Sequence, residues 1–459
     1  MKLLRILLAT CLSVAILIFN SQPVLAFCGF YVAKADSSLY NQASQVIIAR
    51  DGQRTVLTMS NDYQGEVRDF ALVVPVPVIL KQEQVHVGEA KILERLDAFS
   101  APRLVEYFDP DPCEPVLYED RVLESAPAPS AQSQRNSNLG VTVEEQFTVG
   151  EYDIVILSAK ESDGLETWLI QNGYQIPAGT KELLQPYIKQ NLKFFVAKVT
   201  DYSALNGRSL LSPLVNLEEY KEREYQQLRP IAIAYESSKF MLPIRLGMTN
   251  ASGDQDLFVY LLSPQGQIEL TNYRTVKIPS NTDVPEFVQQ EFKDFYTAMF
   301  QKVYEREKKV AFLEYAWDMA SCDPCSAEPL NPEELKQAGV FWLDDMPPLN
   351  PGIQPRIPTS NVFITRLHVR YNRNNFPEDL RFHSTANRQL FQGRYVIRHP
   401  FRGNISCDTN YPQTVRNRQE ETAQNLAHLT GWNRSEIRSK IDFINANVEA
   451  IPWWRNLWD

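Results

Sequence analysis

The chain is poor in the residues that most often carry chemistry. It has 5 histidines, His86, His368, His383, His399 and His428, and no two of them stand four apart. A zinc-binding HExxH helix is therefore absent, as are the GxSxG turn of serine hydrolases and a phosphate-cradling glycine loop. Positive charge is in deficit: 46 Lys and Arg against 56 Asp and Glu give a net charge of −10. That balance argues against nucleic acid or anionic lipid as a general partner. Long apolar runs are scarce too. The first, Ile6 to Phe19, is about 14 residues against the roughly 20 needed to span a bilayer, and no second run of membrane length follows it.

That first run does have the parts of an export signal. Lys2 and Arg5 precede it, only Thr10 and Ser13 interrupt it, and Val24-Leu25-Ala26 closes with small or apolar residues. Residues 1–26 are expected to be a cleavable signal peptide, with the mature chain starting at Phe27 and carrying no transmembrane helix. Loss of Lys2 and Arg5 takes the charge from −10 to −12. Phe27 stands where lipidation at Cys28 would need a small residue. The expected location is periplasmic or extracellular.

The remaining chain, 44% hydrophobic overall against 22% charged, reads as globular, with room for two or three cores of ~150 residues. The expected fold class is α+β: β-rich, mostly antiparallel sheets with packed helices and a helical C-terminal region. Residues 27–123 form a β-rich unit. Within it Gln45 to Arg50 and Arg54 to Ser60 make a hairpin around Asp51-Gly52, and Asp69 to Val78 completes an antiparallel meander. Pro75 and Pro77 are expected to put the far end of that last strand at a sheet edge. Gly88 to Phe99 has helical periodicity. Residues 124–140, rich in Ser, Pro, Ala and Gln, read as a flexible linker or surface loop. Residues 141–283 form an α+β unit. It holds strands at 141–149 and 152–159, helices at 163–172 and 180–190, and a strand from Leu192 to Val199. Further strands follow at IAIAYE, MLPIRLGM, LFVYLLS, QIELTN and YRTVKI, with a hairpin turned by Gly266.

Residues 284–459 hold a long helix, a cysteine loop, strands and C-terminal helices. Val284, Val288, Phe292, Phe295, Met299 and Val303 recur at spacings of three and four, so a helix is expected over Val284 to Lys308. Asp283 with Glu286 resembles a capping box. The aromatic stripe suits packing on a sheet better than an open partner groove. Strands at 310–317, 361–371 and 393–399 precede helices at 415–430 and 434–446.

Several blocks carry a family resemblance: Asn61-Asp62-Tyr63-Gln64-Gly65 followed by Phe70 to Pro77; Tyr152-Asp153-Ile154-Val155 with Trp168-Leu169 and Asn172-Gly173-Tyr174; Lys239 to Arg245; and Trp317 through Cys325. They resemble the domain of unknown function 2330 family, a secreted bacterial family, along nearly the whole mature chain. The resemblance implies a signal peptide and an envelope or extracellular location. It implies no reaction. Two departures stand out: no second cysteine follows closely on Cys28, and no membrane anchor closes the chain.

Five cysteines remain after Ala26: Cys28, Cys113, Cys322, Cys325 and Cys407. In an oxidising compartment they suit two disulfides and one free thiol. Cys28–Cys113 is the favoured pair, a loop worth about 4 to 5 kcal/mol on the chain-entropy relation. The second bridge falls within Cys322, Cys325 and Cys407. Cys322-Asp323-Pro324-Cys325 follows an apolar strand, as a thiol–disulfide oxidoreductase motif does, but Pro329 and Pro332 break the helix such an enzyme needs. A zinc shell from Cys113, Cys322, Cys325 and Cys407 is the chemical alternative. Asp109-Pro110-Asp111 and Asp254-Gln255-Asp256 offer oxygen atoms to calcium, without the spacing of a full loop; solvated turns are the simpler reading. No cofactor is expected. Trp453, Trp454 and Trp458 suit either a half-wet contact with an envelope surface or protein, or packing on the chain's own core. The expectation is an exported protein with a binding or structural role and no catalysis; the rival is an oxidoreductase using Cys322 and Cys325.

Overall fold

The computed structural model describes residues 30–34, 43–63, 70–113, 143–159, 162–171, 174–175, 180–199, 226–227, 229–249, 253–321, 323, 326–343, 361–403, 405, 407 and 410–444. The signal segment, the linker at 124–140, Cys28, Cys322, Cys325 and the C-terminal tryptophans lie outside the described residues.

Two large sheets form the centre of the fold. One has six strands in the order β7 (Val143–Val149), β8 (Tyr152–Ser158), β10 (Lys193–Val199), β4 (Phe70–Val76), β1 (Phe30–Lys34), β9 (Tyr174–Gln175). The other has ten. Its main path runs β16 (Arg274–Lys277), β18 (Val310–Asp318), β19 (Phe363–Tyr371), β14 (Gln255–Ser263), β2 (Ala43–Asp51), β3 (Arg54–Tyr63), β12 (Ile231–Glu236), β5 (Val85–Val87). Off this path, β11 (Gln226–Gln227) joins β3 and β21 (Phe391–Gln392) joins β18. Two three-stranded sheets flank them. They are β13 (Met241–Leu242), β20 (Leu380–Ser384), β15 (Ile268–Leu270), and β17 (Thr282–Asp283), β22 (Arg394–His399), β6 (Arg103–Phe108). Pairing is mostly antiparallel, with parallel exceptions at β2–β14, β16–β18, β17–β22 and β6–β22. With its helices this is an α+β fold.

The period of two along each strand explains how the sheets stack. Leu72, Val74 and Val76 of β4 share a core with Leu57 and Met59 of β3 and Leu257 and Val259 of β14. Ala71 and Val73 face the other way, onto α2 (Ser162–Gln171) and α3 (Thr180–Lys189), through Leu165, Leu169, Leu184 and Tyr187. The outer face of the ten-stranded sheet is covered by α1 (Ala90–Ser100) through Ile92, Leu93, Leu96 and Phe99. It is also covered by α4 (Phe292–Glu307) through Phe295, Met299 and Val303. The result is four layers: helices, sheet, sheet, helices. Helix α5 (Pro332–Gln337) adds Leu335 to the α1 side, and α6 (Tyr411–Thr430) and α7 (Arg434–Lys440) pack beside α4.

The hairpin at Asp51-Gly52 is present, with Gly52 at φ 57, and α1 buries the expected four apolar residues. Strand β4 differs from expectation. It leaves the β2–β3 sheet and lies between β10 and β1, which is why it is apolar on both faces. Its register with β1 ends at Val73, so at Pro75 the described partner is Phe194 of β10 alone. The helix expected over Val284 to Lys308 starts later. Pro285 is extended, a short 3-10 turn covers Glu286–Gln289, and α4 begins at Phe292. Asp283 does not cap it, because it pairs in β17 and its carboxylate accepts from Arg398 Nε at 2.9 Å. MLPIRLGM keeps only Met241–Leu242 as strand, since the amides of Ile244 and Arg245 turn aside to Asp379. Nor does Gly266 close a hairpin, because β15 pairs with β20 rather than β14. Strands from either side of the boundary at 123 share both large sheets, and strands from either side of the boundary at 283 share the ten-stranded one.

Candidate functional site

The densest polar cluster lies on the helix-covered face of the ten-stranded sheet. Asp256, Phe258 and Tyr260 of β14 stand opposite Arg370, His368 and Arg366 of β19. Their neighbours Leu257, Val259, Leu367 and Val369 point into the inter-sheet core. In β18, Leu313 pairs with Leu367 and Tyr315 with Arg366, so Glu314 is an extra residue at a bulge. The bulge brings Glu314 beside the β19 cations.

The charges then alternate in a ladder. Arg366 Nη1 donates to Asp97 Oδ1 on α1 at 2.7 Å, and Arg366 Nε to Glu314 Oε2 at 2.6 Å. His368 has Nδ1 2.9 Å from Glu314 Oε1 and Nε2 3.0 Å from Asp256 Oδ1. Arg370 grips Asp256 with two bonds, of 2.7 and 2.6 Å, and donates to Gln301 Oε1 on α4 at 2.7 Å. Tyr296 on α4 donates to Glu314, and Tyr260 to Asp97 at 2.9 Å. The His368 ring lies between Phe300, stacked at 3.8 Å, and Phe258 at 4.4 Å. Glu314 is fully buried and Arg366 and His368 nearly so.

Burial alone would raise the Glu314 carboxyl, but Arg366 and then His368 outweigh it and hold the pKa down at about 2. Burial likewise opposes ionisation of Asp256, and His368 and Arg370 reverse it, so its pKa is lowered. His368 is raised: burial pulls it down, and Glu314 and Asp256 more than compensate. Tyr296 is pushed well up by burial and by Glu314.

A second buried carboxylate, Asp379, joins the small β20 sheet to α3. Its Oδ1 accepts from Tyr187 Oη at 2.7 Å and from the amides of Ile244 and Arg245 at 2.9 and 3.2 Å. Its Oδ2 accepts from Arg245 Nε and Nη2 at 3.1 and 2.6 Å.

A third cluster fastens the strand β6 to the C-terminal helices. Asp109 Oδ2 accepts from Tyr411 Oη and Arg418 Nη2, both at 2.6 Å. His399 lies 2.7 Å from Glu106 and 3.3 Å from Glu286, and its ring stacks on Phe108 at 4.5 Å. Cys113 is bonded to Cys407 with Cα atoms 5.6 Å apart, across a sequence separation of 294.

That bond corrects three expectations. Cys113 cannot pair with Cys28. Cys407 leaves the Cys322–Cys325 group. A zinc shell using Cys113 and Cys407 loses both thiolates, and among the described residues no set of three or more His, Cys, Asp and Glu side chains can hold a metal. Cys28, Cys322 and Cys325 lie outside the described residues. Asp323, between the last two, accepts from Tyr315 Oη and Gln392 Nε2, each at 2.8 Å. Residues 326–331, which follow the motif, are non-helical, and the next helix, α5, starts at Pro332. The acidic stretches are held by protein donors, and the first runs into a turn at 112–113. Asp109 and Asp256 are held by arginines as above, Asp254 accepts from Tyr304 and Asn372, and Asp111 accepts from the Cys113 amide at 2.9 Å.

Two cavities are described. One of about 100 Å³ lies among Glu286, Phe287, Arg398, Arg418 and Lys440. Its cations are paired with Asp283, Asp109 and Glu291. The other, about 220 Å³, lies beside Asp323 among Trp317, Leu390, Phe391 and Arg394. Neither is lined by a residue of the ladder. Among the described residues no helix is long and apolar enough to cross a membrane.

The architecture and its buried ion pairs define an α+β protein whose charged interior joins its layers. The family described as an uncharacterized protein conserved in bacteria, DUF2330, matches residues 22–383, and the chain belongs to it. No curated protein and no solved structure matches the chain.

The sequence reading did not single out Glu314, Arg366, Arg370, Asp97 or Tyr296. A signal was present. Arg366-Leu367-His368-Val369-Arg370 alternates basic with aliphatic residues at the period of a strand, and Asp256 and Glu314 each interrupt another apolar strand segment.

Proposed function

We propose that this protein is exported and serves in the cell envelope, or outside it, as a binding or structural protein without catalysis of its own. The observation that carries the reading is the Cys113–Cys407 disulfide, a bond that persists in oxidising compartments and is rare in the cytosol. The leader-like segment before Phe27 agrees with it. The absence of catalysis rests on the charged interior: Glu314, Asp256 and Asp379 each spend their oxygens on protein donors, and none of them lines either cavity.

The test is expression of the full chain in a bacterium, followed by fractionation and mass measurement of the non-reduced protein. The expected product starts at Phe27, is recovered outside the cytoplasm, and yields a Cys113–Cys407 linked peptide. A chain still carrying Met1 in the cytoplasmic fraction with both thiols free would contradict the reading. Insulin reduction by the purified protein, lost on Cys322→Ser, would replace the non-catalytic role with thiol–disulfide exchange.

A further inference from the structure

We propose that His368 is locked inside the fold as a doubly protonated imidazolium, and that this proton fastens α4 to the ten-stranded sheet, so that raising the pH loosens the helix. The argument begins with hydrogen-bond capacity. An ionised carboxylate only accepts, and a neutral imidazole has a single N–H. Both ring nitrogens of His368 lie within 3.0 Å of a carboxylate oxygen. A neutral ring would turn a lone pair toward one of them. Two satisfied contacts need two N–H groups, or a proton on a carboxyl. The carboxyls are poor homes for that proton. Glu314 already accepts from Arg366 and Tyr296, and Asp256 takes two bonds from Arg370. These charge-assisted contacts favour the ionised form.

The charged and titratable groups around the ring come from every element packed against it. From α1 comes Asp97, from β18 Glu314, from β14 Asp256; β19 contributes Arg366, His368 and Arg370. The phenols of Tyr260 on β14 and Tyr296 on α4 complete the surroundings, and Tyr304 and Asp254 stand beside Arg370. Asp97 is partly exposed, so the buried anions that meet the ring are Glu314 and Asp256. Without its proton the ring offers a single N–H, so one of the two buried carboxylates faces a lone pair and loses a charge-assisted contact.

Helix α4 is the element that feels this. Phe300 stacks on the imidazolium, Tyr296 donates to Glu314, and Gln301 accepts from Arg370. The sign follows from linkage. The folded His368 pKa is raised above the unfolded value, so the proton's contribution is fully present below about pH 6.5. It is lost as pH rises through the folded value.

The direct test is nitrogen NMR of the full chain labelled in histidine, with His368 assigned by replacing His86, His383, His399 and His428 one at a time. At about pH 7.5, above the ordinary histidine value, both ring nitrogens of His368 are expected to carry hydrogen. Amide exchange, corrected for its intrinsic dependence on hydroxide, should speed up in α4 by about tenfold per pH unit beyond the folded pKa. Exchange in β10 should stay constant. His368→Gln should abolish that pH dependence. A single protonated nitrogen at neutral pH would overturn the proposal, as would parallel loosening of α4 and β10. Should His368→Gln fail to fold, the ring protonation of the wild-type chain still decides.

Discussion

Glu314 and Asp379 are both buried carboxylates bound to an arginine and a tyrosine, yet they are satisfied in different ways. Asp379 draws on two backbone amides, the Tyr187 phenol and the Arg245 guanidinium. None of these donors titrates near neutrality. Glu314 draws on Arg366, Tyr296 and one nitrogen of His368. The comparison sets a buried acid whose donors keep their protons at neutral pH beside one whose donors include a histidine. On the proposal above, the layer fixed through histidine depends on a proton.

The largest expected effects come from removing either acid. Glu314→Ala strands Arg366 and His368, and Asp379→Ala strands Arg245. Each should lower unfolding stability by about 3–5 kcal/mol, read from urea midpoints. The two should part company in pH dependence, with Glu314→Ala flattening the alkaline decline and Asp379→Ala preserving it. On the acid side the Glu314 pKa, held at about 2, is depressed below its unfolded value. Its contribution is therefore present above about pH 4.3 and is lost as pH falls further.

Next in size is the disulfide. The double replacement Cys113→Ser, Cys407→Ser should cost about 2–5 kcal/mol while leaving the pH profile unchanged, because the bond touches neither carboxylate. Tyr296→Phe and Tyr187→Phe each remove a donor to a charged oxygen and should cost about 1.5–3 kcal/mol. Tyr296→Phe is also expected to increase amide exchange in α4, and Tyr187→Phe in α3. The smallest effect is a calibration outside both networks. Gly431 ends α6 at φ 80, and Gly431→Ala should lose about 1 kcal/mol equally at every pH.

Local features of this fold were legible in the sequence and long-range ones were not. The Asp51-Gly52 turn and the stripe on α1 each announce themselves within a dozen residues. The stripe on α4 correctly indicated packing, onto Phe312, Tyr395 and Leu426. Its start was misread because the apolar spacing runs on through Val284 and Val288, which a strand end and a 3-10 turn also bury. The parallel pairs β2–β14 and β6–β22 join segments far apart in sequence, with no connecting motif. The ladder was missed because alternating charge on a strand ordinarily marks a solvated face. Here α1 and α4 cover that face, a fact of tertiary packing. Cys113–Cys407 was missed for the same reason, since 294 residues separate the partners and spacing carries no trace of the bond.

The Glu314 and Asp379 networks are expected to differ in one proton. Urea unfolding of the wild type, His368→Gln and Asp379→Asn from about pH 6 to 9 tests it most directly. The expected result is a wild-type stability that declines with rising pH, a parallel decline at lower stability in Asp379→Asn, and a flat profile in His368→Gln. A wild-type profile that is flat over this range, or a decline that survives in His368→Gln, would contradict it.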